Sequence, residues 1–260
     1  MSKYLIELEY DGTDFSGWQE QPHARTVQGE LQEKLSILLR QPIKVVGAGR
    51  TDAGVHASSM MAHFDLPDQS AEKVAAAVFK LNRFLPPDIY ILKLQEVSNS
   101  FHARYSAVDR SYCYYLALRP SPFRRRYHTV EERRLNFEEM NRAATALIGK
   151  HDFSSFAKKH SDVTNHNCIV TRAEWVQSSQ SEWVFRITAN RFLRSMVRAI
   201  VGTLIEVGCG NMSAEEFKSV LDRADDEYPF NTAPATGLRL ESVTYPLALL
   251  GRILLDTRGE

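Results

Sequence analysis

Ten residues, Gly47-Ala48-Gly49-Arg50-Thr51-Asp52-Ala53-Gly54-Val55-His56, bring together the groups of this chain best suited to chemistry. Gly47, Gly49 and Gly54 permit backbone torsions closed to other residues and let a ligand approach the main chain closely. They frame one carboxylate, Asp52, and one imidazole, His56. A guanidinium two residues away, that of Arg50, would lower the carboxyl pKa by roughly 1 to 3 units if the pair is close and partly buried, leaving Asp52 ionised and nucleophilic. The same spacing also suits a turn in which Asp52 caps local amides and Arg50 pairs with it for geometry. Dinucleotide binding would need a glycine where Asp52 stands and a helix opening there, and a phosphate-binding Walker loop would need Gly-Lys-Ser/Thr, which does not follow.

Other clusters carry less. His151, His160 and His166 stand nine and six residues apart and match no metal-ligand pattern. Ser154-Ser155 lacks the G-x-S-x-G elbow of a serine hydrolase. Cys113, Cys168 and Cys209 are an odd number without a C-x-x-C pair, which argues against a disulfide framework and a structural zinc site. No H-x-E with P-C-x-x-C is present, so zinc-dependent base deamination is excluded.

Charge is balanced overall, with 32 Lys+Arg and 32 Asp+Glu among 260 residues, but unevenly placed. Eight arginines, Arg104, Arg110, Arg119, Arg124, Arg125, Arg126, Arg133 and Arg134, lie between Phe101 and Arg134 against Asp109, Glu131 and Glu132. Arg186, Arg191, Arg194 and Arg198 follow with no carboxylate among them up to Ile205, whereas acids gather from Glu215 to Glu227. Such a bipolar distribution suits a polyanionic partner, and ordinary solvated faces would read the same way.

The elements that must hold these groups alternate between strand and helix. Lys3 to Tyr10 reads as a half-buried strand, and Thr26 caps a helix carrying Val27, Leu31, Leu35, Leu38 and Leu39 and closed by Pro42. Strands are expected at 43–46, 60–66, 89–97 and 112–118, with a helix over 71–85 ended by Pro86-Pro87. Beyond the Pro/Arg-rich stretch 120–134, helices are expected over 137–148, 192–207 and 214–223. Strands are expected at 169–176 and 183–189, with a last one at 238–243. Arg191, Arg194 and Arg198 would share one face of the 192–207 helix while Met196, Ile200 and Val207 pack inward. On the 112–118 strand, alternation puts Tyr114 on the face of Tyr112 and Tyr115 on the other. Trp18, Trp175 and Trp183 read as core or loop anchors. The order implies an α+β fold of two similar α/β subdomains, 1–119 and 120–260, on a mostly antiparallel sheet flanked by helices.

With 43% hydrophobic residues the chain can bury a sizeable core. No uncharged apolar run approaches the roughly 18 residues of a membrane span, and the first ten residues lack the basic and apolar regions of a signal peptide. A cytoplasmic protein without membrane contact is the expectation.

The segment from Arg50 to His56 resembles the signature of the TruA family of tRNA pseudouridine synthases. The resemblance extends through Tyr10-Asp11-Gly12 with Gly17-Trp18-Gln19, through Phe101-His102-Ala103-Arg104, and through Arg110-Ser111-Tyr112-Cys113-Tyr114. It continues in His151 to Phe156, in Met196-Val197-Arg198 with Ile200-Val201-Gly202, and in Pro234-Ala235 with Gly237-Leu238. It implies the pseudouridine synthase fold and an enzyme, a homodimer without cofactor or metal, that isomerises uridine to pseudouridine at positions 38, 39 and 40 of the tRNA anticodon arm. On that resemblance Asp52 is the nucleophile, Tyr112 stacks on the base, Arg50 and Arg198 orient Asp52 or neighbouring phosphates, and Leu238 lines the base pocket. Arg191 and Arg194 would follow the RNA backbone, and Arg124, Arg125 and Arg126 a more distant part of the tRNA. His102 and Arg104 would bind RNA or fix the entry to their strand. A catalytically silent RNA-binding protein of the same fold is the alternative.

Overall fold

A computed structural model describes residues 2–67, 70–158 and 164–258. Its elements are, in chain order, β1 (Ser2–Tyr10), α1 (Val27–Leu39), β2 (Val46–Gly47), β3 (His56–Leu66), α2 (Ala71–Leu81), β4 (Ile89–Val97), β5 (Asp109–Ala117), β6 (Thr129–Val130), α3 (Phe137–Ala144), β7 (Gly149–Asp152), β8 (Asn167–Ser179), β9 (Glu182–Ala189), α4 (Met196–Gly208), α5 (Ala214–Arg223), β10 (Leu238–Thr244) and β11 (Leu250–Asp256). They form two compact units, Met1–Val108 with Leu240–Glu260, and Asp109–Arg239. A single boundary after residue 119 was the expectation from sequence; in the structure β5 belongs with the second unit, and the carboxy-terminal strand returns to the first.

In the first unit the strand order is β11-β4-β1-β3-β10. β1 is antiparallel to both neighbours, with Lys3 opposite Asp65 on β3 and opposite Val97 on β4. Tyr4 to Leu8 are all buried, so β1 is a covered central strand and not the half-buried one that its alternation suggested. Its buried Glu7 is compensated, accepting from Ser59 Oγ at 2.9 Å and pairing with Arg258 at 3.1 Å. Thr26 accepts the Gly29 amide at the start of α1, whose Val27, Leu31 and Leu35 are completely buried. α2 stops at Leu81, short of the expected Leu85, because Asn82 turns its side chain to β4, donating to Ile91 O at 2.9 Å and accepting from Ile91 N at 2.7 Å.

Of the expected 43–46 strand only Val46 pairs with a neighbour, joined by Gly47 just beyond it, at the edge of β3. The backbone before them bonds to helix side chains instead. Ile43 N donates to Ser36 Oγ at 2.9 Å, Val45 N to Gln32 Oε1 at 2.9 Å, and Gln28 Nε2 to Val45 O at 2.7 Å. Gln28, Gln32 and Ser36 recur every four residues and so form a ladder along one face of α1.

In the second unit β7-β8-β9-β5 is antiparallel throughout, and β6 lies parallel to β5. Trp175 is buried, and Trp183 stacks on Phe137 of α3 with ring centroids 3.8 Å apart. α5 begins with a capping box between Ser213 and Glu216. Each unit is thus a mostly antiparallel sheet with helices against it, the α+β class that the pattern implied.

Three further boundaries differ. α3 gives way to a 3-10 turn at 145–147, and Gly149, at φ +112°, opens β7 where a helix stop was expected. A strand beyond β10, β11, was not anticipated. The third concerns the arginine face. α4 begins at Met196, after Ser195 in the left-handed region at φ 61°, so Arg191 and Arg194 precede the helix and share no face with Arg198. Met196, Ile200 and Val207 do point into the core.

Candidate active site

Arg50 and Asp52 lie between β2 and β3, in the stretch that leaves the short edge strand and re-enters the sheet at His56. The path is irregular, and it is held from outside by another irregular stretch, 12–18. Trp18 N donates to Thr51 O at 3.1 Å and Gly54 N to Phe15 O at 3.3 Å, while Val55 N closes a turn on Asp52 O at 3.1 Å. Tyr10 and Thr51 share a hydroxyl bond of 2.8 Å, both residues being buried. The buried His56 turns Nδ1 to the 10–12 stretch, 3.1 Å from Gly12 N and 3.2 Å from Asp11 Oδ1.

The glycines here answer to close packing. A Cβ on Gly12 would lie 2.0 Å from Val55 O, and one on Gly17, at φ +95°, 2.6 Å from Thr51 O. Trp18 covers Gly47, where a Cβ would meet the indole at 2.6 Å; the ring is a packed anchor, as expected. Asp52 is half-buried, and Arg50 and Ala53 are exposed on either side.

Also in the first unit, His102 organises the turn after β4. Its Nδ1 accepts the amides of Arg104 at 3.2 Å and Tyr105 at 3.3 Å, and its own amide donates to Ser106 Oγ at 3.0 Å. Its ring lies 4.4 Å from that of Tyr105, which is 76% exposed, and the Arg104 guanidinium sits 5.8 Å from the same ring. His63 beneath it accepts from Ala103 N at 3.1 Å, and burial, with the charge of Lys3 assisting, pushes its pKa down to about 4. Burial lowers His102 as well. Tyr105 escaped notice in the sequence, where only its position beside Arg104 marked it.

In the second unit, Tyr112 stands on β5, half-buried, its ring edge-on to Phe192 at 5.2 Å. Arg110 Nη1 donates to Asn190 O at 2.8 Å and Asn190 Oδ1 accepts Ile169 N at 2.8 Å. Those bonds fix the segment bearing Arg191, half-buried, and Arg194, exposed. Arg198 lies in the first turn of α4, its Nε donating to Ala233 O at 2.7 Å. Leu238 opens β10 and is buried. Tyr114, completely buried, bonds Thr129 Oγ1 at 2.7 Å and Pro234 O at 3.0 Å, while Tyr115 bonds Arg239.

Arg124, Arg125 and Arg126 occupy the turn 121–128; Arg124 pairs with Glu182, and Arg125 is exposed. Phe123, 92% exposed, projects beside them. Ser155 is structural, bonding Val220 O and Asp225 N, and burial pushes the Cys168 thiol up to about 11, where it stays protonated. Among the described residues no three His, Cys, Asp or Glu side chains form a metal-binding group, and His160 lies outside those residues. No helix among them is long and apolar enough to cross a membrane.

A family model described as tRNA pseudouridine synthase matches residues 8–106 and 143–246 of this chain. The tRNA pseudouridine synthase A of Porphyromonas gingivalis is 47% identical over 247 residues, covering 95% of this chain and 98% of that protein. Its namesake from Bacteroides thetaiotaomicron is 46% identical, covering 95% and 91%, and that from Thermosipho melanesiensis 42% identical, covering 94% and 100%. Both stretches that hold the Asp52 loop, and the segments bearing Arg191, Arg194, Arg198 and Leu238, fall inside the matched residues, and on this breadth of similarity the chain belongs to the tRNA pseudouridine synthase family.

Proposed function

We propose that the protein isomerises uridine to pseudouridine at positions 38, 39 and 40 of the tRNA anticodon arm, with Asp52 as the nucleophile. What carries this reading is the placement of Asp52 between an exposed arginine and a glycine turn, on a loop whose backbone is hydrogen-bonded on both sides of it. The reaction breaks the bond from N1 of uracil to C1′ of ribose, turns the base, and joins C5 to C1′; C5 gives up its proton to solvent and N1 takes one up, so the product is an isomer of the substrate. It involves no net oxidation or reduction. The Asp52 carboxylate attacks C1′ directly, or favours loss of the C2′ proton to a glycal; both routes end in the same product.

Arg50 and Arg198 orient the carboxylate or the phosphates beside it, since a planar guanidinium holds an oxyanion in fixed geometry. Tyr112 stacks on the base and Leu238 closes the apolar side of its pocket. The target must leave its stack at a cost of a few kcal/mol, which backbone contacts offset. Arg104, Arg124, Arg125, Arg126, Arg191 and Arg194 make those contacts, and His102 holds the turn that presents Arg104. The enzyme acts in the cytoplasm as a homodimer and requires no cofactor.

The deciding experiment measures tritium release from C5-labelled uridine in an unmodified tRNA transcript, with EDTA present, for the wild type and Asp52→Ala. Release by the wild type alone is the expected result. Release by both removes Asp52 from the mechanism, and tRNA binding without release by either leaves a silent RNA-binding protein.

A further inference from the structure

A carboxylate on a loop is only as well placed as the two peptide units that flank it. The unit between Thr51 and Asp52 is held at its oxygen by Trp18 N at 3.1 Å, and the unit between Asp52 and Ala53 by Val55 N at 3.1 Å. One residue upstream, the Thr51 side chain is anchored as well, with Oγ1 2.8 Å from the Tyr10 hydroxyl. Threonine is branched at Cβ, so fixing Oγ1 fixes χ1 and narrows the backbone torsions that lead into Asp52.

Tyr10 is itself rigidly held. It is 4% exposed, at the end of a central strand, and the register of β1 against β3 shifts between Leu8 and Tyr10. Bulges of that kind re-aim a side chain and concentrate beside active sites. We infer that Tyr10, acting through Thr51, is a positioning residue for the isomerisation, one that touches no substrate but sets where the Asp52 carboxylate points. This rests on the reading of Asp52 as the reacting group.

Displacing a reacting atom by about 1 Å lowers a rate by up to about a hundredfold. Tyr10→Phe removes a single oxygen and keeps the ring against Trp18, at 6.2 Å between centroids. It is expected to lower kcat about tenfold with KM within about twofold. Thr51→Val should do the same, the double variant should fall no further than the worse single, and Thr51→Ser should recover most of the rate. Ser155→Ala, which removes another buried hydroxyl bonded to Val220 O and Asp225 N in the second unit, is the control for lost stability alone. Equal melting temperatures for Tyr10→Phe and Ser155→Ala with kcat reduced only in the former support the inference. A kcat for Tyr10→Phe within about twofold of wild type overturns it, as do single losses that simply multiply in the double variant. An inactive Asp52→Ala beside an unaffected Tyr10→Phe removes the positioning role alone; tritium release by Asp52→Ala removes the reading on which it rests.

Discussion

The two units hold their candidate groups by different means. In the second, Tyr112, Arg198 and Leu238 stand on β5, α4 and β10, and their directions follow from strand pairing and helix geometry. In the first, Arg50 and Asp52 stand on irregular chain, and the residues around them are tied bond by bond to the end of β1 and the irregular stretch after it, roughly forty residues away in sequence. A residue on a regular element tolerates change in its distant neighbours, because many ladder bonds share the task. A residue on a tied loop does not, because each tie is one of few.

The sharpest way to break the comparison is at Gly12. An alanine there would press its Cβ to 2.0 Å from Val55 O, so Gly12→Ala should cost about 2–4 kcal/mol in denaturant unfolding and abolish turnover in the protein that remains folded. An active Gly12→Ala enzyme would mean the ties do not govern the site.

A smaller effect comes from acid. His63 has a folded pKa of about 4 against an ordinary 6.5, so the unfolded chain binds the proton more readily, and stability rises with pH between those values. Lowering pH from 7 to 5 should therefore cost on the order of 1 kcal/mol of folding free energy through this residue. His63→Gln should flatten that part of the melting profile; an unchanged slope would remove His63 as its source.

Arg125→Ala tests the second unit's exposed side. It should weaken tRNA binding a few-fold, roughly equally across tRNAs, and reduce the slope of log affinity against log salt by about one, with kcat at saturation retained. The smallest effect sharpens the first contrast. A Cβ on Gly49 meets nothing within 4 Å, so Gly49→Ala should leave stability within about 0.5 kcal/mol, two residues before Thr51. A large loss there would show that glycine itself, and not the ties at Gly12 and Gly17, shapes the loop.

Much of this was legible in the sequence. The strand at 89–97 and the helix at 214–223 fell where periodicity placed them, and the glycines around Asp52 announced an unusual turn. Hidden features share one cause, dependence on partners distant in sequence. Nothing local marks Ser195 as left-handed, and so the helix appeared to start four residues early and swept Arg194 onto its face. Residues 43–45 carry a strand's composition, but α1 takes their hydrogen bonds. Tyr10 and Thr51 are two unremarkable hydroxyls until the fold sets them 2.8 Å apart.

The ladder of Gln28, Gln32 and Ser36 along α1 has a bearing on solubility. Ile43, Val45 and Val46 are all β-branched and, interrupted only by Lys44, lie next to a sheet edge, the kind of stretch to which strands of other molecules add. Three side chains of one helix already occupy backbone groups of Ile43 and Val45 that such a strand would need. A helix that reads as mere packing thereby also guards the chain against self-association through that edge.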